Sequence, residues 1–223
     1  MQLEVTSQLD DIQACFPNFP VKCIFDVGAN IGQSVDIFHS KYPEAHIHCF
    51  EPTPASFKQL SNRFHANPLV RTNNLGVSDC ECEVSFTSSG TSTMNRICRT
   101  GRGNMTVKMI DLDSYCRSHK ITQIDYLKID TEGNELNVIL GMSEIMPAIG
   151  FIETEASLNP HNKYHQSFFD IYQRLTNSGF YLFGIYEQVR EWSGGGIPIM
   201  RRANPVFVNA KLINPIPPGV ITS

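Results

Sequence analysis

Phe25-Asp26-Val27-Gly28-Ala29-Asn30-Ile31-Gly32-Gln33 reads as the end of a strand that turns through glycines into a helix. Glycines at such a turn let backbone come close to a ligand, and a helix N-terminus presents N–H groups to an anion. The dinucleotide fingerprint G-x-G-x-x-G needs glycine at positions 28, 30 and 33. Gly28 complies, while Asn30 and Gln33 stand in the other two places. Asn30 still tolerates a left-handed backbone better than most residues. The turn is nucleotide-like without being a dinucleotide loop.

On both sides of this turn the hydropathy pattern alternates. Strands are predicted over 21–27, 46–50 and, more weakly, 69–77, with helices over 34–42 and 54–66. Leu3, Leu9, Ile12 and Phe16 give residues 1–20 the pattern of a short leading helix that ends at Pro17 and Pro20. Strands alternating with helices indicate a parallel sheet with crossover helices. Between 80 and 110 the rhythm breaks. Strands are predicted over 83–87 and 105–110, around a polar stretch, 88–104, long enough to be either disordered or a substrate lid. The alternation then resumes with helices over 111–119, 132–142 and 167–177 and strands over 124–130 and 149–153. Two final strands, 180–186 and 206–212, have no helix between them and are expected to form an antiparallel hairpin. One domain over 21–213 is expected, with a frayed tail at 214–223.

Composition narrows the function classes. A chain of 223 residues is close to one large domain at roughly 150 residues per domain. With 18 basic against 22 acidic residues the net charge is −4, which gives no general footprint for nucleic acid or an anionic membrane. No apolar run reaches the ~18 residues of a membrane span. Met1-Gln2-Leu3-Glu4 lacks the pattern of a signal peptide. Seven cysteines without a Cys-x-x-Cys pair are expected to be free thiols in a reducing cytoplasm. A homodimer is compatible with these features.

Two further segments fall at predicted strand ends. Phe50-Glu51-Pro52 lies about 20 residues beyond Gly28, where an acid accepts hydrogen bonds from both hydroxyls of a ribose. Ile124-Asp125-Tyr126-Leu127-Lys128-Ile129-Asp130-Thr131-Glu132-Gly133-Asn134-Glu135 places Asp130 at a carboxyl strand end, where open α/β sheets bind ligands. Lys128 interrupts an apolar run and needs a carboxylate partner or a route to water. The alternative is that Thr131 or Asp130 merely caps the helix, with Glu132 and Glu135 favourable near its positive end; that reading is preferred for Glu135, and a functional one for Asp130.

Together with Gly76-Val77-Ser78-Asp79 and Phe151-Ile152-Glu153, these segments resemble the FkbM family of S-adenosylmethionine-dependent methyltransferases. The resemblance runs from about Cys23 to Glu155 and more faintly to Phe207-Val208-Asn209. It implies the class I methyltransferase fold, a Rossmann-like three-layer α/β sandwich. Its seven-stranded, mostly parallel sheet has the order 3-2-1-4-5-7-6, with strand 7 antiparallel. It also implies S-adenosylmethionine as cofactor. Asp26, Gly28, Ala29, Asn30, Gly32 and Gln33 would then hold the methionine portion, and Glu51 with Pro52 the ribose. Gly76 and Val77 would lie near adenine, with Asp130 also at the cofactor. By the same resemblance the acceptor is a hydroxyl of a small molecule or glycan. An NAD-type oxidoreductase is the alternative, disfavoured by Asn30 and Gln33. A catalytically silent Rossmann-like binding protein is the other.

Methyl transfer from a sulfonium is an in-line displacement, governed by alignment, and an alcohol acceptor must also lose a proton. Asp130 and Glu153 are candidates for the base or for oxygen ligands of a Mg²⁺ ion. A base would benefit from a raised pKa in a partly dry pocket. His161 and His165 are competing bases, whereas His46 and His48 read as sheet surface. Arg96, Arg99 and Arg102 in the insertion read as a solvated basic loop, with an anionic substrate as the alternative. Tyr186 and Trp192 flank Gly194-Gly195-Gly196, where an aromatic can stack on a sugar or plug the sheet end.

Overall fold

Helix α1 (Gln8–Cys15), capped by the Ser7 side chain, leads into β1 (Cys23–Val27). Then follow α2 (Gln33–Lys41), β2 (His46–Phe50), α3 (Pro54–Phe64) and β3 (Val70–Asn73). Pro54 opens α3 in the first turn, where its missing N–H costs nothing. Next comes β4 (Gly76–Val77), and the insertion supplies β5 (Cys82–Thr87), β6 (Arg96–Ile97) and β7 (Met105–Ile110). After it come α4 (Leu112–His119), β8 (Ile124–Ile129), α5 (Glu135–Leu140), β9 (Ile149–Thr154) and β10 (Ala156–Ser157). The chain closes with α6 (Phe168–Asn177), β11 (Phe180–Trp192) and β12 (Pro198–Asn209). The structure is a computed structural model that describes residues 7–88, 96–98, 102–162, 164–192 and 196–213. Leu3, Arg99 and the expected tail at 214–223 therefore lie outside the described residues, as does the Arg96 side chain.

The main sheet runs β3-β2-β1-β8-β9-β12-β11. Its strands are parallel except β12, which is antiparallel to both β9 and β11. This is the implied order, with the antiparallel strand in the implied place. Short β10 continues β9 along β12, pairing Ala156 with Ala203. Alternation along the strands feeds two cores. Ile24, Ile47, Tyr126 and Phe151 pack against Leu9 and Ile12 of α1, Val35 and Phe38 of α2 and Leu60 of α3. Phe25, Val27, Leu127, Ile129 and Ile152 pack against Leu112 and Tyr115 of α4, Val138 and Ile139 of α5 and Ile171 and Leu175 of α6. Three layers result because each central strand is apolar on both faces. No helix among the described residues is long and apolar enough to cross a membrane.

The structure departs from the sequence reading in three places. The single strand expected over 69–77 is two: β3 stays in the main sheet, while β4 joins a second sheet of order β4-β7-β5-β6. The break falls where the Asn74 amide donates to the carbonyls of Glu51 and Pro52, pulling the chain out of the strand line. The helix expected from 132 begins at Glu135, with Asn134 as the capping position rather than Thr131 or Asp130. Glu132 and Gly133 have φ of 56° and 110°, because the Glu135 carboxylate gathers the N–H groups of Thr131 and Gly133 and the Thr131 hydroxyl. Finally, the hairpin strands are much longer than expected, and irregularities at Leu182/Gly184 and Tyr186/Val189 mask their period-two pattern.

Candidate functional site

At the carboxyl end of β1, Gly28 has φ of 88°, and a Cβ there would sit 1.8 Å from the Asp130 carbonyl oxygen. Only glycine lets the turn press against the neighbouring strand end. Asn30 takes the left-handed conformation, with φ of 47°. The turn's donors are largely spent on the protein. Gly28 and Ala29 N–H both donate to the Phe50 carbonyl at 3.0 Å, and Gly32 N–H donates to Ala29 at 2.8 Å. Asn30 N–H donates to Glu51 Oε2 at 3.0 Å. The turn therefore offers a shaped wall rather than a cradle of free amides for an anion.

Glu51 follows β2 and is almost fully buried. Its Oε1 accepts from both the N–H and the hydroxyl of Thr53. Burial raises its pKa, and the bonds from Thr53 and Asn30 pull back only in part. Beneath the cleft, Asp26, Lys128 and Glu153 lie side by side on adjacent strands. Lys128 Nζ donates to Asp130 Oδ2 at 2.9 Å, the carboxylate partner its place in an apolar strand demanded. Burial works against the ammonium, but Asp130, Asp26 and Glu153 outweigh it and hold Lys128 charged. Asp26 is fully buried, and burial pushes its carboxyl up to about 6. For Asp130, burial opposes ionisation, yet Lys128, with Arg202 and His165, holds it below its ordinary value. The expected raised pKa is therefore reversed, because the lysine two residues earlier on the same strand sits on the carboxylate.

These groups meet in one cleft of about 340 Å³. Gly28, Ala29, Asn30, Gln33, Glu51, Pro52, Gly76, Val77 and Asp130 line it. Asp26 and Gly32 do not: Asp26 is fully buried within central strand β1, and Gly32 packs on Leu60 and Phe64. Val77, Phe86, Ile97 and Met109 form an apolar wall, three of them supplied by the insertion. The far end is lined by Glu132, Glu155, Glu187 and Arg202. Sequence reasoning missed Glu155, Glu187 and Arg202 as site residues. Glu155 lay just beyond the Phe151-Ile152-Glu153 segment, and no local spacing marks the other two.

Glu153 does not line the cleft. It is 1% exposed and accepts from the Tyr126 hydroxyl, Gln8 and Asn204, so it is core rather than a strand-end base. His161 is exposed and also stays out of the lining. His165 does not line the cleft either, but it meets two carboxylates that do, with Nε2 3.1 Å from Glu155 and 3.5 Å from Glu132. These two carboxylates raise its pKa to about 9. His46 is exposed, and half-buried His48 meets the Tyr115 hydroxyl, its pKa lowered to about 4 by burial. Tyr186 turns to Asp11 on α1, while Trp192 and Arg102 are exposed.

Glu132, Glu155 and His165 have their ligand atoms grouped as a metal site would. It is not the Asp130–Glu153 pair considered above for Mg²⁺, of which Glu153 is buried in the core, and its donor set does not fit that ion either. Arg202 already pairs with Glu155. Asn162 Oδ1 accepts from the N–H of Tyr164 and His165, so its amide nitrogen faces His165 Nδ1 at 3.1 Å. A metal on Nε2 needs an acceptor there, to receive the Nδ1 proton.

The family model of the methyltransferase FkbM domain matches residues 26–182. The chain belongs to this family. The hexuronic acid methyltransferase AglP of Haloferax volcanii is 31% identical over 140 residues, covering 61% of this chain and 57% of that protein. The 2-O-methyltransferase NoeI of Sinorhizobium fredii is 26% identical over 156 residues, 62% of this chain and 64% of that protein. The chain thus spans less than two thirds of either relative. Among solved structures, TrmK of M. capricolum in complex with S-adenosylhomocysteine superposes with a TM-score of 0.50 at 10% identity. That match covers 95% of this chain and 70% of TrmK. It establishes the fold, that of the class I methyltransferases.

Proposed function

We propose that the protein is an S-adenosylmethionine-dependent O-methyltransferase acting on a hydroxyl of a sugar, glycan or secondary metabolite. The observation that carries this reading is the continuous cleft across the carboxyl ends of β2, β1 and β8, with Glu51 at one end and Asp130 at its centre. The residues suit the cofactor. Glu51 spends lone pairs on Thr53 and Asn30 and keeps others for ribose hydroxyls. The wall of Val77, Phe86, Ile97 and Met109 suits an adenine ring, and the carboxylates complement a cation. The name of the Haloferax relative supports a sugar-type acceptor, and that of the Sinorhizobium relative supports transfer to oxygen.

Bound there, the cofactor supplies an electrophilic methyl group on a sulfonium. Asp130 Oδ2 is taken by Lys128, which leaves Oδ1 to accept the hydrogen bond of an acceptor hydroxyl and then its proton. The proton becomes strongly acidic as the oxygen takes on the methyl, so an ionised carboxylate of low pKa suffices as base. Lys128 fixes the orientation of Asp130, and Asp26 and Glu153 keep Lys128 charged from below. A dinucleotide-dependent reaction is disfavoured because the turn amides that would grip a pyrophosphate are already bonded. Much of the lid expected at 88–104 lies outside the described residues; within it, Ile97 is part of the apolar wall.

Calorimetry tests the reading. S-adenosylhomocysteine is expected to bind in the micromolar range, about −8 kcal/mol. Tight NADH binding with no response to S-adenosylhomocysteine would sink it.

A further inference from the structure

We propose that the far end of the cleft is an acceptor subsite for the hydroxyls of an uncharged sugar, and that it discriminates against uronic acids and sugar phosphates. This rests on the methyl-transfer reading and narrows its acceptor. Strand order sets the location. Glu51 lies on the β2 side of β1 and Asp130 follows β8, so the opening continues toward β9 and β12. There Glu155 follows β9, Glu187 stands on β11 and Arg202 on β12, with Glu132 just past β8.

The groups are held before any ligand arrives. Glu155 is 4% exposed, with Arg202 on Oε1 and His165 on Oε2. Asn204 Nδ2 donates to Glu187 Oε2 at 3.1 Å. Glu187 has φ of 44°, at the point where the β11–β12 register breaks between Tyr186 and Val189. The bulge re-aims this one exposed strand residue into the cleft.

Charge then selects the ligand. Both cations that line the cleft among the described residues are paired with carboxylates, Lys128 with Asp130 and Arg202 with Glu155. An incoming carboxylate or phosphate would face Glu132, Glu155 and Glu187, while the Arg202 guanidinium and the His165 ring are already engaged by Glu155 and Glu132. Like charges gathered in one cleft reject a ligand more strongly than a missing contact does. Hydroxyls bring donors, and ionised carboxylates are acceptors only, so a sugar diol matches what these side chains present. The inference runs against the hexuronic acid in the Haloferax relative's name.

Ligand-observed NMR on the protein loaded with S-adenosylhomocysteine tests this. The probes are methyl glycosides of glucose, galactose and mannose, each paired with its 6-carboxylate. At least one neutral glycoside is expected to bind, with its uronide weaker by about tenfold or more. Glu187→Gln should weaken the neutral ligand about fivefold and narrow the gap to the uronide, with S-adenosylhomocysteine affinity unchanged. A uronide that binds as well as its neutral partner overturns the proposal, as does no binding by any of the six. Loss of that uronide preference on neutralising Arg102 would assign it to the insertion. Failure of S-adenosylhomocysteine to bind at all would instead bring down the methyl-transfer reading, and this subsite with it.

Discussion

The end of the cleft at Glu51 is assembled from two adjacent strand ends whose contacts are largely backbone, whereas the end at Glu187 is assembled from four elements held by side chains. At the first, Phe50 and Glu51 take the N–H groups of Gly28, Ala29 and Asn30. At the second, residues after β8 and β9 meet residues on β11 and β12 through the Arg202–Glu155–His165 chain and Asn204. A backbone-built wall is rigid and tolerates few residues, which suits the proposed cofactor end. A side-chain-built wall can be recast without disturbing the fold, which suits the proposed acceptor end. Asp130 stands between the two and should serve both.

Four measurements sharpen or break this division. Asp130→Asn, at the junction, should lower turnover on the order of 10²–10⁴-fold while cofactor affinity changes far less. Because Lys128 holds the Asp130 carboxyl below its ordinary value, its charge persists as pH falls until that depressed value is reached. The rate of the native protein should therefore show no acid limb from Asp130 above about pH 5. A variant with near-full turnover would reduce Asp130 to a structural ion pair.

Gly28→Ala adds a Cβ against the Asp130 carbonyl and a side chain at positive φ. It should cost about 2 kcal/mol or more in unfolding experiments, from strain and overpacking together. An unchanged melting midpoint would show that the turn is not the rigid wall described. Glu51→Ala should weaken S-adenosylhomocysteine by ~1.5–3 kcal/mol, the range for hydrogen bonds to a charged group, and leave sugar binding alone. If it weakens both equally, the two ends are one unit.

The smallest effect concerns His165, faced by Glu132, Glu155 and the Asn162 amide. Its folded pKa is raised to about 9 from 6.5, so its contribution to stability is complete below 6.5 and lost as pH rises through about 9. Against His165→Gln, the native protein should lose stability over that window. Asn162 turns a donor toward Nδ1, so Asn162→Asp should move the titration further up, as read by the imidazole NMR shifts. A His165 titration at or below its ordinary value would mean that the amide, and not the carboxylates, governs the ring.

Much of the Glu51 end was legible because its requirements are local. Gly28 and Asn30 occur where left-handed backbone is needed, Glu51 closes the next strand, and Lys128 inside an apolar run announced the Asp130 pair. The antiparallel terminal hairpin was also legible, since no helix pattern separates its strands. Glu153 misled because a strand-end acid looks the same in sequence whether it faces the cleft or the core. Its side chain falls on the α1 face beside Lys128, and Tyr126 and Gln8 close over it. His161 and His165 are four residues apart in one loop, and only the proximity of Glu155 and Glu132 tells them apart.

By itself, then, the sequence determined the alternating α/β layers, the glycine turn, the acid that closes β2 and the central aspartate. Each follows from hydropathy period or from backbone conformations that few residues adopt. The tertiary structure alone decided which carboxylates face the cleft, that Asp130 is held ionised, and that Glu187 and Arg202 belong to the site. Those outcomes depend on strand register, a bulge in β11 and charge pairs between residues far apart in the chain. The energies involved come from which groups are buried together, and no local pattern records that.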